Sequence, residues 1–94
     1  MALTFEWDPE KARSNLAKHK VSFDEAQSVF GDPLARIAND PRHSVIEERL
    51  VLLGLSDSRH LLAVMYTETE DRIRIISARR STRRERRDYE ESIG

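Results

Sequence analysis

Half of the basic residues in this 94-residue chain lie in one short, arginine-rich segment. Positions 72–87 contain eight arginines and one acid, Glu85, so the segment carries a formal charge of +7 and the rest must carry −8 to give the overall −1. A guanidinium group stays protonated and forms bidentate hydrogen bonds to phosphate. A polyanion, with nucleic acid as the leading candidate, is the predicted partner; the alternatives are an acidic protein and an ordinary solvated helix face. The arginines are Arg72, Arg74, Arg79, Arg80, Arg83, Arg84, Arg86 and Arg87.

Composition argues against several other kinds of site. Without cysteine the chain has no disulfide, thiolate metal site or cysteine nucleophile, and its three scattered histidines do not suggest a zinc site, so we expect no metal and no cofactor. The N-terminus MALTFEWDPE lacks the features of a signal peptide, and no apolar run approaches the ~20 residues that cross a bilayer. We therefore predict one cytoplasmic domain spanning residues 1–94, with no membrane partner.

The first third of the chain predicts a strand followed by two helices. Alternating apolar residues indicate a strand over 3–7, and Asp8 before Pro9 is a helix-start signal for a helix to about Lys18. Ser22 with Glu25 forms the capping box of a second helix, which ends at the glycine and proline of 31–33. On the first helix the predicted apolar face consists of Ala12, Leu16 and His19.

The remainder predicts a sheet and a polar last helix. Short β-compatible runs cover 34–38, 48–55, 60–67 and 72–77, with 61–65 as a central strand. In the last run Arg72 and Arg74 fall on the exposed face. Thr82 and Glu85 have capping-box spacing, which predicts a helix over about 82–92. This helix has few large apolar residues, so it could be a nucleic-acid contact, a partner contact or a mobile tail. The predicted fold is α+β: an N-terminal strand and two helices on an antiparallel sheet of about four strands, then a polar C-terminal helix.

The chain also resembles the BrnT toxins over nearly its whole length. The segments FEWDPEKARSNLAKHKVSF (5–23), DEAQSVFGDP (24–33) and YTETEDRIRIISARRSTRRERRDYE (66–90) resemble that family's N-terminal and C-terminal blocks, in the same order. The resemblance implies a RelE-like two-layer fold and a growth-arresting endoribonuclease of a type II toxin–antitoxin system. It also implies a BrnA-like ribbon-helix-helix antitoxin, in a heterotetramer of two toxins and two antitoxins that binds operator DNA through the antitoxin. Lys20 and Arg59 stand where the family often has glycine, departures that we expect to affect turns more than chemistry.

Such an enzyme could cleave RNA without metal by directing the 2′-hydroxyl onto the adjacent phosphate. The transition state concentrates negative charge on the non-bridging oxygens, and losing one preorganised donor to such charge typically costs roughly 10²-fold in rate. The candidates for this role are Arg72, Arg74 and Arg79. The alternative for each is a surface salt bridge to a residue such as Glu47, Glu48 or Glu68.

Proton transfer is assigned first to His19. The charge of Lys18 beside it favours the neutral imidazole that a general base needs, whereas the alternative for His19 is a helix cap or core-edge residue. Tyr66 could donate a proton or stack on a base, or pack in the core. Glu68 is a further candidate.

The remaining basic residues exceed what one scissile phosphate can use, so we expect them to hold RNA or the antitoxin. The predicted RNA contacts are Lys18, Arg49, Arg80 and Arg83. The predicted antitoxin contacts are Arg84, Arg87 and Tyr89. His43 and His60 have no predicted role. The rival functions are a noncatalytic nucleic-acid-binding or partner-binding module and a degenerate toxin kept for its partner contacts.

Overall fold

A computed structural model describes residues 3–38 and 49–93 as a five-stranded sheet with helices on both faces. His43, which has no predicted role, and the predicted salt-bridge partners Glu47 and Glu48 lie outside the described residues. Within the described residues no helix is long and apolar enough to cross a membrane. The elements are β1 (Thr4–Glu6), α1 (Pro9–His19), α2 (Phe23–Ser28), a 3₁₀ turn (Val29–Gly31), β2 (Arg36–Ala38), β3 (Leu50–Leu55), β4 (Leu61–Thr69), β5 (Arg72–Arg80) and α3 (Arg83–Ile93).

The order of the strands corrects the predicted antiparallel sheet of about four strands. The sheet runs β1-β5-β4-β3-β2, and β1 is a fifth strand, parallel to β5, while the other pairs are antiparallel. The pairing matches Thr4 with Arg72 and Glu6 with Arg74. Strand β1 has only three residues, and it pairs with a strand near the opposite end of the chain. No short turn joins the two strands, so the sequence contains no local signal for this pairing.

Helix α1 begins as predicted but buries a different residue. The side chain of Asp8 accepts a hydrogen bond from the Glu10 amide at 2.9 Å, with proline at the first helical position. Leu16, predicted to face the core, is 50% exposed, whereas Asn15 is only 7% exposed. The amide of Asn15 bonds backbone groups of neighbouring segments, so the contact of α1 with the sheet is polar as well as apolar.

Helix α2 follows the predicted pattern and carries the main core. The Ser22 hydroxyl accepts from the Glu25 amide at 3.0 Å, which confirms the capping box. Val21, Phe23, Ala26 and Val29 are buried together against the inner face of the sheet. Aromatic side chains extend this core in T-shaped contacts, Phe5 with Phe30 at 5.1 Å and Phe30 with Tyr66 at 5.0 Å between ring centroids.

Strand β5 is longer than predicted and contains a bulge. It extends to Arg80, so Arg79 lies within the strand rather than just past its end. Met65 pairs with Ser77 while Tyr66 pairs with Ile75, which leaves Ile76 as an extra residue on β5. A bulge reorients the side chains that follow it, and bulges are frequent beside functional sites.

Helix α3 packs on the opposite face of the sheet through one large side chain. Its predicted capping box is confirmed, because Glu85 N donates to the Thr82 hydroxyl at 3.1 Å and Thr82 N donates to the Glu85 carboxylate at 2.8 Å. Tyr89 is 3% exposed and lies in a second core cluster, from which its hydroxyl donates to Asp32 Oδ2 at 2.6 Å. This tyrosine anchors the helix to the sheet and to the segment that follows α2.

Candidate functional site

The predicted catalytic arginines lie on one face of β5, the face that α3 partly covers. Ile73 and Ile75 point into the core beneath α2, so alternation puts Arg72 and Arg74 on the other face. Beyond the bulge, Arg79 pairs with Ala63, a residue of the cluster that holds Tyr89. We call Arg72, Arg74 and Arg79 the arginine face; the structure places these three predicted residues on one face of one strand.

Glu6 is the observed ion-pair partner of the first two arginines. Its carboxylate lies 3.1 Å from Arg74 Nη1 and 3.4 Å from Arg72 Nε. The predicted alternative named Glu68, which instead pairs with Ile73 and therefore belongs to the opposite face. The Glu6 pairs exist because β1 runs beside β5. They are half-exposed, so they contribute little stability and a phosphate could displace the carboxylate.

Arg79 is held more firmly than its neighbours. Its Nη1 and Nη2 donate to the two oxygens of Glu85 at 2.8 and 3.0 Å, and Nη1 also donates to the carbonyl of Arg80. The hydrogen bond from Arg79 is the largest influence that holds the pKa of Glu85 below its usual value, with Thr82 contributing. The capping-box spacing predicts Glu85 as a cap but does not reveal this second role. The bidentate pair fixes the guanidinium at the junction of β5 and α3.

His19 and Lys18 lie on the other side of β5. They border a cavity of about 190 Å³ between α1 and the edge of β5, near the bulge. Strand β1 pairs only with residues 72–74 of β5, so α1 and not a strand lies beside this later part of the edge. The edge of the strand thus separates the leading proton-transfer candidate from the arginine face. The cavity is lined by Lys11, Ser14, Asn15, Lys18, His19, Ile76 and Ser77.

Tyr66 is not placed at either surface. It is 3% exposed and packs against Phe30 in the core beneath α2. Burial, together with the charge of Glu68, raises the pKa of its hydroxyl. This burial favours the core-packing alternative for Tyr66, and its catalytic role stays a prediction.

The predicted RNA contacts do not form one surface. Lys18 borders the cavity, and Arg83 is exposed on α3. Arg80 pairs with Leu62 and lies on the α2 face, where its charge helps to lower the pKa of Glu25. Arg49 is partly buried just before β3 and has a contact within the protein.

The predicted antitoxin contacts divide in the same way. Arg84 and Arg87 are exposed on α3. Tyr89 is buried beneath the same helix and bonded to Asp32, which corrects its assignment as a surface contact. The sequence places Tyr89 on the correct helix but does not show which way its side chain points. The apolar surface of the sheet that it packs against comes from distant segments.

A polar cluster that sequence analysis missed joins α2 to the β3–β4 turn. Oε2 of Glu25 accepts from the Ser56 hydroxyl at 2.7 Å and lies 2.7 Å from His60 Nδ1. Burial opposes ionisation of Glu25, but these two partners and the charge of Arg80 outweigh it and lower its pKa. His60, given no predicted role, therefore has a structural one. Among residues 3–38 and 49–93, no three histidine or acidic side chains are grouped to hold a metal ion.

Comparisons with known proteins give a family match and a shared fold. A family model described as the ribonuclease toxin BrnT of type II toxin–antitoxin systems matches residues 7–85. The crystal structure of the Brucella abortus ribonuclease toxin BrnT superposes with a TM-score of 0.66 at 20% sequence identity, covering 87% of this chain and all of that one, so the two share a fold. No curated protein sequence matches the chain. Because the family model spans most of the chain, the protein belongs to the BrnT family of ribonuclease toxins of type II toxin–antitoxin systems.

Proposed function

We propose that this chain is a metal-independent endoribonuclease whose arginine face stabilises the transition state of RNA cleavage. The observation that carries the proposal is the alignment of Arg72, Arg74 and Arg79 on one face of a single strand, with Arg79 fixed by Glu85. Donors held on a rigid strand need little rearrangement when charge develops on a bound phosphate. The family's description as a ribonuclease toxin gives the reaction class.

The proposed reaction is an internal transesterification. The 2′-oxygen forms a bond to the adjacent phosphorus while the bond from phosphorus to the 5′-oxygen breaks, leaving a 2′,3′-cyclic phosphate and a 5′-hydroxyl. The arginine face binds the non-bridging oxygens, which carry the extra negative charge. His19 lies across the edge of β5 from the arginine face, so we propose that the RNA passes around this edge and that His19 accepts the 2′-hydroxyl proton. An acid must return a proton to the leaving oxygen.

Growth arrest in the cytoplasm would follow from cleavage of cellular RNA, and an antitoxin would prevent it. The family assignment implies such a partner, and we propose a BrnA-like ribbon-helix-helix protein in a heterotetramer that binds operator DNA through the antitoxin. Arg84 and Arg87, exposed on α3, would receive an acidic segment of that partner. Charge reversal at both positions tests this contact, since unchanged affinity for the antitoxin would remove it.

Cleavage of RNA in the presence of EDTA tests the proposal. Wild type should cleave, whereas Arg74→Ala and Arg79→Ala should each lose roughly 10²-fold in rate while remaining folded by circular dichroism. Arg13→Ala is the matched control, because Arg13 is exposed on α1 and pairs with Glu10 away from the arginine face. Intact RNA with wild type, or cleavage that requires a divalent metal, would contradict the proposal.

A noncatalytic RNA-binding module is the second candidate, because the arginines of the arginine face already pair with the carboxylates of Glu6 and Glu85. In that case alanine substitutions would weaken RNA binding in small, similar steps and would have no turnover to abolish. A large loss of turnover with little loss of affinity at Arg74 or Arg79 distinguishes the enzyme.

A further inference from the structure

A small cavity between α1 and the edge of β5 carries positive charge that no described residue compensates. Four of its lining residues, at positions 11, 14, 15 and 18, follow the i, i+3, i+4, i+7 spacing of one helical face. Among them Lys11 and Lys18 are exposed and make no ion pair with any described residue. None of the described lining residues is acidic. Arg13 lies on another face of the same helix and pairs with Glu10, so the unpaired lysines are a property of this face alone.

The floor of the cavity is rigid. Asn15 is 7% exposed, and its Nδ2 donates to the carbonyls of Val21 and Ala78, each at 2.9 Å. Its Oδ1 accepts from the Ala78 amide at 3.1 Å and from the Ser77 hydroxyl at 3.3 Å. These bonds tie α1 to β5 at fixed spacing, so the backbone that carries Lys11, Ser14 and Lys18 is positioned before any ligand arrives.

The cavity is small and open to solvent, so it suits one group of a larger ligand. Its volume of about 190 Å³ is that of roughly six water molecules, and it is smaller than the ~300–1,000 Å³ of pockets that enclose whole small-molecule ligands. Two ammonium groups and the Ser14 hydroxyl are hydrogen-bond donors suited to a phosphate group.

We infer that this cavity binds a backbone phosphate of the RNA substrate, one that neighbours the phosphate held by the arginine face. Ile76 and Ser77 of the cavity lie on β5 between Arg74 and Arg79. An RNA strand that passes around this edge of β5 would therefore contact both the cavity and the arginine face. The inference rests on the proposed ribonuclease function for the identity of the ligand. It assigns Lys11 and Lys18 to positioning of the substrate.

Binding is tested with a single-stranded DNA oligonucleotide, which has no 2′-hydroxyl and cannot be cleaved by this route. Lys11→Gln/Lys18→Gln should bind it roughly tenfold more weakly than wild type and reduce the slope of log K against log salt by about one to two. Arg13→Gln is the control, since it removes a positive charge from another face of the same helix. In wild type, inorganic phosphate should shift the NMR amide signals of Ser14, Asn15 and Ser77, and these shifts should be lost in the double variant.

The competing explanation is that Lys18 and His19 only stabilise the C-terminal end of α1 through its dipole. It predicts that the double variant melts at lower temperature but binds the oligonucleotide and phosphate like wild type, a result that would overturn the inference.

Cleavage kinetics separate this inference from the proposed function. The double variant should raise KM for RNA with kcat retained, whereas Arg79→Ala should lower kcat. If the chain cleaves RNA and the double variant changes neither KM nor oligonucleotide affinity, the subsite is wrong and the ribonuclease proposal stands. If no RNA is cleaved but the double variant still loses phosphate and oligonucleotide binding, the anion site stands and the ribonuclease proposal fails.

Discussion

Asn15 of α1 holds both backbone groups of Ala78 on β5, donating to its carbonyl at 2.9 Å and accepting from its amide at 3.1 Å. A side-chain amide thus takes the place of a neighbouring strand along the part of β5 that β1 does not reach. Edge groups buried in this way must be hydrogen-bonded, because an unpaired one costs about 1–3 kcal/mol.

Replacement of Asn15 should therefore be among the costly single changes in this chain. Asn15→Leu leaves the Ala78 amide and carbonyl and the Val21 carbonyl without this partner, and we expect a loss of about 3 kcal/mol in the free energy of unfolding. Leu16→Ala, at an exposed position of the same helix, is the control and should change stability by less than about 1 kcal/mol. Urea denaturation measures both. Similar losses in the two variants would show that Asn15 is not a polar tie.

The pairing of Arg79 with Glu85 predicts a pH-dependent contribution to stability. Glu85→Gln retains a residue type that suits the capping box but removes the charge that Arg79 binds, so it should cost about 1–2 kcal/mol at neutral pH. The folded protein holds the pKa of Glu85 below 4.5, its value when unfolded. The difference between wild type and variant is therefore complete above that value and disappears as pH falls through the folded-state pKa.

Glu90→Gln serves as the control for that measurement. Glu90 pairs with Arg86 at 3.8 Å on the exposed surface of the same helix, so this change should alter stability by less than about 0.5 kcal/mol at any pH. Urea unfolding across a pH series decides the matter. A Glu85→Gln cost that stays constant into acid would assign the effect to packing and not to charge.

The hydrogen bond from the Tyr89 hydroxyl should stabilise the packing of α3, and this contribution to stability should be lost at high pH. Tyr89→Phe removes the 2.6 Å bond to Asp32 and should cost about 1 kcal/mol. Burial and the hydrogen bond to Asp32 raise the pKa of Tyr89 to about 12, from an ordinary value of 10. Because the folded-state pKa is the higher one, the contribution is complete below pH 10 and is lost as pH rises towards 12.

Tyr66→Phe is the matched control for Tyr89, because the hydroxyl of Tyr66 makes no hydrogen bond to any described residue. It should change stability less than Tyr89→Phe does. Thermal unfolding followed by circular dichroism compares the two variants, and an equal loss in both would indicate that the bond to Asp32 contributes nothing.

Local signals predicted most of the elements, and non-local contacts account for most of the differences. The capping residues Asp8, Ser22 and Thr82 act as their spacing predicts, since caps depend on neighbours within a few positions. The parallel pairing of β1 with β5 and the hydrogen bonds of Asn15 join segments that are far apart in the sequence. The periodicity of a single helix or strand therefore cannot predict them.

The same division applies to the candidate site. The alternation over 72–75 correctly predicts that Arg72 and Arg74 share one face. Arg79 lies on the same face only because the bulge adds one residue to β5 and shifts the alternation after it, and the sequence does not reveal this bulge. The sequence leaves Tyr66 open between a catalytic role and core packing and assigns Tyr89 to the antitoxin, whereas the structure buries both side chains. The roles of Glu6, Glu85 and His60 depend on which strands and helices meet.

Lys20 occupies a backbone conformation that favours glycine. It ends α1 with φ 61° and ψ 27°, and its amide donates to the Leu16 carbonyl at 2.9 Å. A side chain in this left-handed region costs about 1 kcal/mol relative to glycine, and glycine is the usual residue after a helix end of this kind. Lys20→Gly should therefore raise the free energy of unfolding by about 0.5–1 kcal/mol while keeping the terminal hydrogen bond.

Lys20→Ala separates the backbone effect from the loss of the lysine, because alanine keeps the strain and removes only the long side chain. It should not stabilise the protein. Arg59, with φ 67° in the β3–β4 turn, offers a second position of the same kind, and Arg59→Gly should add its own gain independently, since the two sites share no hydrogen bond. Urea denaturation of the single and double variants gives the result: equal stability of Lys20→Gly and Lys20→Ala would mean that the positive φ at Lys20 is not a source of strain.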